Sequence, residues 1–424
     1  MNFESSRAFA ERLDQNDSLQ AYREHFLIPK TTQGLEKIYF CGNSLGLQAR
    51  AARPLIDEIL GIWAEHAVEG HFSGPHPWMP YHEFLSEKLA RVVGAMPGEA
   101  VAMNSLTVNL HLMMVSFYRP SAERYKVLIE RNAFPSDRYA VCSQIRFHGY
   151  DPEDALIEAA PRPGEQTFRG EDLIDLIERE GDRIALILWP GVQYYSGQFF
   201  DCGAVTEAGH RRGCLVGLDL AHAVGNLPLK LHDWRVDFAV WCSYKYLNAG
   251  PGAIGGCFVH ERHGRNFCGP RFAGWWGHDK VTRFQMPPDF SGIKGAEGWQ
   301  ISNPPVLAAA PLIAALDLFD QAGIEALRAK SELLTGFLEY LIDRRCAGRV
   351  SIITPRSNTE RGCQLSLTLN HGAAENKAVY EKLRATDIVC DWREPKVIRV
   401  APVPLYNRFS EVFDFVETLQ TVLD

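Results

Sequence analysis

Lys245 and Asp219 are the residues of this chain best placed to do chemistry. Lys245 lies in Trp241-Cys242-Ser243-Tyr244-Lys245-Tyr246-Leu247-Asn248, among aromatics rather than the charges that surround a solvated lysine. Asp219 ends one apolar run, Lys245 follows another, and Leu220-Ala221-His222 comes directly after the aspartate. A strand-terminal Asp can serve simply as a helix N-cap, and a lone Lys as a surface charge. Both, however, follow apolar runs of the kind whose C-terminal ends open onto the crevice of an α/β sheet. A lysine amine there can condense with an aldehyde, and a carboxylate can keep a pyridine nitrogen protonated. Those are the two services a protein renders to pyridoxal 5'-phosphate (PLP), which then accepts electrons from a substrate carbanion.

Such a cofactor needs an anion site. Asn104-Ser105-Leu106-Thr107 precedes an apolar helix expected from Val108 to Phe117, and a helix N-terminus offers free N–H groups and a favourable dipole. The same pattern also describes an ordinary Ser/Thr cap. His222 is either a neighbour of the cofactor ring or a packing histidine. Gly250-Pro251-Gly252-Ala253-Ile254-Gly255 matches the dinucleotide-binding G-x-G-x-x-G, but an apolar strand follows it where a helix is required, and Pro251 removes an N–H. These glycines are read as turn formers beside the lysine. Among the 14 histidines, His260 and His263 stand at i, i+3 near Cys268, within charges that suggest an exposed loop; no metal site is expected.

Positioning these residues requires a sheet. Lys126–Glu130, Ile184–Trp189, Leu215–Asp219, Phe238–Trp241 and Gly256–His260 read as buried strands, alternating with helices at Ser136–Gln144, Glu171–Glu180 and Ala204–Arg212. That alternation predicts an α/β fold with a mostly parallel sheet. From about Gly323 the pattern changes: a long helix (Ile324–Arg345) is followed by strand, strand, helix, strand at Ser351–Thr354, Gln364–Leu369, Lys377–Ala385 and Val397–Val400. The division expected is an N-terminal arm (1–50) packing with the small domain, a large domain (51–323) and a smaller α+β domain (324–424). In 424 residues, a 46% hydrophobic and 23% charged composition with net charge −8 argues against a nucleic-acid surface, and no apolar run is long enough for a membrane span. Ten cysteines without a C-x-x-C pair, and a start lacking a basic, apolar leader, point to a reducing cytoplasm.

Five segments together resemble kynureninase: Tyr39-Phe40-Cys41-Gly42-Asn43-Ser44-Leu45-Gly46-Leu47, Phe134-Pro135-Ser136-Asp137, Asp219-Leu220-Ala221-His222-Ala223-Val224-Gly225-Asn226, Tyr244-Lys245-Tyr246-Leu247-Asn248 and Ala401-Pro402-Val403-Pro404-Leu405-Tyr406. The resemblance runs from about residue 20 to 420 and implies the aspartate-aminotransferase fold, the PLP-dependent transferase-like class. It implies a homodimer with shared active sites and hydrolysis of L-kynurenine, with 3-hydroxykynurenine as a second candidate substrate, to anthranilate or its 3-hydroxy form and L-alanine. The setting would be tryptophan degradation by the kynurenine pathway, which also feeds NAD biosynthesis.

By the same resemblance, Lys245 would be the Schiff-base lysine, Asp219 the pyridinium partner, and His222 a neighbour on the cofactor's oxygen side. Phe134 would stack on the ring, while Leu106, Thr107, Ser136 and Asp137 would line the site. Thr107 and Tyr244 would reach the phosphate, and Tyr244 could also donate a late proton. Trp275 and Asn303 would come from the second subunit, and Arg399 would clamp the α-carboxylate with Ser44 nearby. His71 and Asn303 would meet the aryl end, in an aromatic pocket shared with Trp276. Pro190 stands where some relatives carry a hydroxyl. The alternatives are a cysteine desulfurase-like enzyme, for which Cys363 and Cys390 lie in the right half of the chain, and an aminotransferase.

Overall fold

Strands buried on both faces read as unbroken apolar runs, and five such runs form the centre of the molecule. In the computed structural model, which describes residues 2–370 and 372–424, seven strands make one sheet. They are β1 (Ala100–Ala102), β2 (Lys126–Glu130), β3 (Leu156–Ala159), β4 (Ile184–Pro190), β5 (Leu215–Asp219), β6 (Phe238–Trp241) and β7 (Gly256–Val259). The order across the sheet is β1-β7-β6-β5-β4-β2-β3. Only β7 runs antiparallel to its neighbours, pairing Gly256 with Trp241 and with Ala102. The parallel register sets Pro190 beside Asp219 and Asp219 beside Val240. Asp219 therefore stands at the C-terminal edge in the middle of the sheet, where α/β folds bind ligands.

Helices cover both faces. Leu106–Phe117 and Pro135–Phe147 pack together on one side, burying Leu110, Met113, Met114, Val141 and Ile145 against Val127, Ile129 and Val240. The Ala-rich helix Val306–Ala322 and Glu83–Val93 pack on the other. From Gly323 the chain enters Ile324–Arg345 and then a four-stranded sheet of β8 (Val350–Ile352), β9 (Leu365–Leu369), β10 (Asp391–Arg393) and β11 (Val397–Val400), in the order β8-β9-β11-β10. The N-terminal residues tie into this part: Arg7–Gln15 lies on Phe409–Leu423, and Ile38–Tyr39 pairs in parallel with Ile388–Val389. Arg23 meets Glu411 at 2.9 Å.

The structure corrects two expectations and adds one strand. The apolar helix starts at Leu106, two residues before the predicted Val108, so Leu106 and Thr107 belong to its first turn. A short edge strand, Ala100–Ala102, had no run long enough to announce it. The His260–His263 segment is not an exposed loop: His260 is 7% exposed and caps a four-residue helix, and the His263 ring lies 2.7 Å from the buried Asp237 carboxylate. Among the described residues, no single helix is long and apolar enough to cross a membrane.

Candidate active site

Three structural edges converge on one cavity. It is lined by the C-terminal ends of β2, β4 and β5, the first turns of helices Leu106–Phe117 and Pro135–Phe147, and the Tyr244–Lys245 loop. Leu106, Thr107, Phe134, Ser136, Asp137, Asp219, His222, Tyr244 and Lys245 all line it. The loop is held in place by the N-terminal arm, since Gly46 N–H donates to the Tyr244 carbonyl at 2.8 Å. A Cβ on Gly46 would collide with the Lys245 carbonyl, so only glycine permits that approach.

Both helix N-termini aim at the cavity. Ser105, the N-cap of the first, makes no side-chain capping bond, and neither does Phe134, the N-cap of the second. Their first-turn hydroxyls meet, Thr107 Oγ1 and Ser136 Oγ being 2.8 Å apart. Two uncapped helix ends and two hydroxyls at one point offer the kind of donors an anion site uses.

The charges around Lys245 are unusual. Its Nζ lies 3.0 Å from His222 Nε2 and 6.0 Å from the Phe134 ring centroid. Burial, then the positive charges of Lys245, Arg399 and Arg393, hold His222 well below the usual imidazole range. A neutral ring accepting from Lys245 at Nε2 carries its proton on Nδ1, an atom that is buried and without a partner. Asp137 and Glu130 stand beside Asp219, and for both, burial followed by (for Glu130, opposed by a Gln193 hydrogen bond as well as reinforced by) the neighbouring Asp219 charge drives the carboxyl well above its usual range. Asp137 Oδ1 and Glu130 Oε2 have no hydrogen-bond partner. Burial raises the Tyr244 phenol, and its hydroxyl lies against the Cys242 thiol.

The other expected residues lie elsewhere. Arg399, at 0% exposure in β11, has its fork filled: Nη1 donates to the Tyr194 carbonyl at 2.7 Å and Nη2 is paired with Asp391. The Asn43 amide, turned as its network requires, accepts from Arg399 Nε at 3.2 Å. Ser44, half-buried, is the next residue along. His71, Trp276 and Asn303 line a second, more open cavity that shares no residue with the first. Trp275, next to Trp276, is 47% exposed and packs on Phe284. Within one chain, then, the expected aryl-binding residues are gathered together but do not line the cavity around Lys245.

A relative from Myxococcus xanthus named kynureninase is 57% identical over 418 residues, covering 99% of this chain and 97% of its own length. This chain belongs to the kynureninase family. A family model described as the kynureninase C-terminal domain matches residues 327–419. Among solved structures, the cysteine desulfurase CsdA from Escherichia coli superimposes with a TM-score of 0.76 at 15% identity, over 96% of this chain and 98% of that one. A C-DES K223A mutant with glycine covalently linked to its PLP cofactor gives 0.75 at 17%, over 91% and 96%. At those identities the likeness is one of fold, the PLP-dependent aminotransferase-like fold.

PLP is the cofactor of the kynureninase family, and the cavity fits it. An anion site at the two helix ends, an amine on Lys245, and orphaned polar atoms on His222 and Asp137 supply what a phosphorylated pyridine aldehyde requires. Four lining or adjoining residues escaped the sequence reading: Glu130, Tyr194, Asp391 and Arg393. Glu130 ends a buried apolar strand just as Asp219 does, so the same signal was available for it. Tyr194 lies in a loop with no pattern to mark it; its ring packs edge-on against Phe134 at 5.4 Å. Two groups with ligand-like spacing, Glu99–His232–His260 and His82–Glu83–Glu297, lie outside the cavity. Both contain internal His–carboxylate hydrogen bonds.

Proposed function

We propose that this chain hydrolyses L-kynurenine at its Cβ–Cγ bond, releasing anthranilate and L-alanine, as a PLP enzyme of tryptophan degradation. The observation that carries this is the convergence of nine expected cofactor residues on one cavity at the sheet's C-terminal edge, in a kynureninase-family chain. Lys245 would hold PLP covalently, Asp219 its ring nitrogen, Thr107 and Ser136 its phosphate, and Phe134 its ring face. When bound, PLP supplies an electron sink that makes the α-hydrogen of an amino acid acidic.

The protein's own residues do the rest. Lys245 Nζ, once freed from the cofactor, is the base for the α-proton, and neutral His222 accepts a hydrogen bond from it without competing for its charge. Asp137 and Glu130, favoured in their neutral forms, leave the negative charge of the cluster to Asp219. Tyr244, kept a phenol by burial, can return a proton from its hydroxyl late in the reaction. Arg399 is the α-carboxylate partner, with Ser44 near it; a planar fork matches a carboxylate as a lysine does not.

The aryl subsite belongs to a homodimer in this reading. His71, Trp276 and Asn303 line an apolar cavity apart from Lys245, and exposed Trp275 packs against Trp276 and Phe284 next to it. A two-fold partner would bring Trp275 and Asn303 to the opposite cofactor cavity, so dilution to monomer should release PLP; full retention by a proven monomer would contradict it. Cytoplasmic location, a contribution to NAD biosynthesis, and the division at residues 50 and 323 belong to the same proposal. The match at 327–419 supports the last boundary. The desulfurase alternative is disfavoured by its candidate thiols: burial pushes Cys363 up to about 12 and raises Cys390 further still. An aminotransferase would release no anthranilate.

The direct test mixes PLP-loaded protein with L-kynurenine and, in parallel, 3-hydroxykynurenine, and follows anthranilate fluorescence and alanine. Equal yields of the acid and alanine are expected, and the two rates define the substrate preference. A PLP-loaded protein that forms neither product would overturn the assignment.

A further inference from the structure

The carboxylate clamp is already engaged. Arg399 spends its donors on Asn43, Tyr194 and Asp391, so an incoming carboxylate must displace one of them. Asn43 and the Tyr194 carbonyl are neutral; Asp391 is the one anion, and it alone has a second cation within reach. Arg393 Nη2 lies 3.1 Å from the same Asp391 Oδ2, while Arg393 Nε is buried without a partner. Two guanidiniums thus share a single carboxylate, leaving one positive charge unmatched beside the cofactor cavity. The arrangement follows from register: Asp391 is the cross-strand partner of Arg399 in the antiparallel β10–β11 pair, and Arg393 sits two residues on, on the same face.

We propose that Asp391 stands in for the substrate carboxylate on Arg399, and that Arg393 is a positioning residue that receives Asp391 when substrate arrives. The inference rests on the reading of Arg399 as the α-carboxylate partner. The exchange conserves ion pairs. Before binding, one carboxylate serves two guanidiniums; after it, Asp391 pairs with the Nε–Nη2 edge of Arg393, and the substrate carboxylate takes the vacated edge of Arg399. Two separate ion pairs replace one shared carboxylate. A ligand without a carboxylate cannot displace Asp391, so the device also selects for carboxylate-bearing ligands. It penalises the empty clamp less than an unpaired buried guanidinium would.

The test uses the PLP-loaded enzyme and four variants, reading KM and kcat for L-kynurenine and the Kd of L-alanine from the cofactor absorbance. Arg399→Lys checks the underlying reading: an unchanged KM there would remove the clamp itself. Given a raised KM in that variant, Arg393→Met is expected to raise KM and the alanine Kd about tenfold, the scale of one hydrogen bond to a charged group, with kcat within about twofold. Asp391→Asn removes the competitor, and Arg393→Met/Asp391→Asn is expected to return both constants to within about threefold of the parent. An unchanged KM in Arg393→Met, or a double variant as weak as the single one, would overturn the exchange. A merely structural role for Arg393 would show no such rescue.

Discussion

The two edges of the large sheet handle buried charge in opposite ways. At the N-terminal edge of β6, Asp237 is 1% exposed and fully satisfied. It accepts from Val216 N at 2.7 Å, lies 2.9 Å from His210 and 2.7 Å from His263, and pairs with Arg262. Against the cost of burial, these partners hold its carboxyl well below the usual range. Glu99, at the same edge, takes backbone N–H groups of Met96 and Glu261 and the His232 ring. At the C-terminal edge, Glu130 and Asp137 are also buried, but each keeps one carboxyl oxygen without a partner, and their carboxyls are driven the other way. Identical residue types are fully satisfied at one edge and left partly open at the other, where the proposed chemistry lies. A fold keeps unsatisfied buried carboxyls only where a ligand completes them.

That contrast can be broken by mutation at either edge. The largest effect belongs to Lys245→Ala, expected to lower turnover by about 10⁴-fold or more and to abolish the visible absorbance of bound PLP. Its thermal midpoint without cofactor should barely change, because no partner that Lys245 alone satisfies is left charged. Asp237→Ala is the mirror case. It strips His210, His263 and Arg262 of their shared anion and should cost about 3–5 kcal/mol of stability in urea unfolding, with kcat per folded molecule unchanged. A comparable loss of kcat in the folded fraction would mean that the two edges are coupled.

Glu130→Gln sharpens the comparison with a smaller effect. The folded carboxyl is raised above its unfolded value, so between those two values the native state holds a proton that the unfolded chain has released. Stability of the cofactor-free protein must then fall as pH rises through that window, by up to about 1.4 kcal/mol per pH unit. Glutamine, neutral in both states, should flatten that slope, leaving the variant equal to the parent near pH 4 and more stable above pH 7. The sign is the reverse for Asp237, whose stabilising share is present at neutral pH and lost on acidification. Parallel curves for Glu130→Gln and the parent would contradict a neutral Glu130.

Much of this was legible in the chain, for identifiable reasons. Parallel strands buried on both faces are uninterrupted in hydrophobicity, so β2, β5 and β6 were read at their true limits, and with them the edge proposed to be catalytic. The Asp219–Lys245 pair was legible because both follow such runs. What escaped depends on long-range register. No local pattern reveals that Asp391 opposes Arg399, since the pairing exists only once β10 folds back on β11. His260 and His263 looked solvated because Arg262 and Arg265 lie among them, whereas Asp237, over twenty residues upstream, draws Arg262 and the His263 ring inward, and Glu99 lies 3.7 Å from the His260 ring. The separation of His71 and Trp276 from Lys245 was equally invisible, because it is a property of one subunit in a site that two would share.

The central claim is that chemistry is confined to the C-terminal edge and centred on Lys245. The measurement that tests it most directly is borohydride reduction of the PLP-loaded protein, followed by proteolysis and mass spectrometry of the pyridoxyl-marked peptide. The account predicts one mark, on Lys245, at close to one per chain. A mark on any other lysine, with Lys245 recovered unmodified, would contradict it.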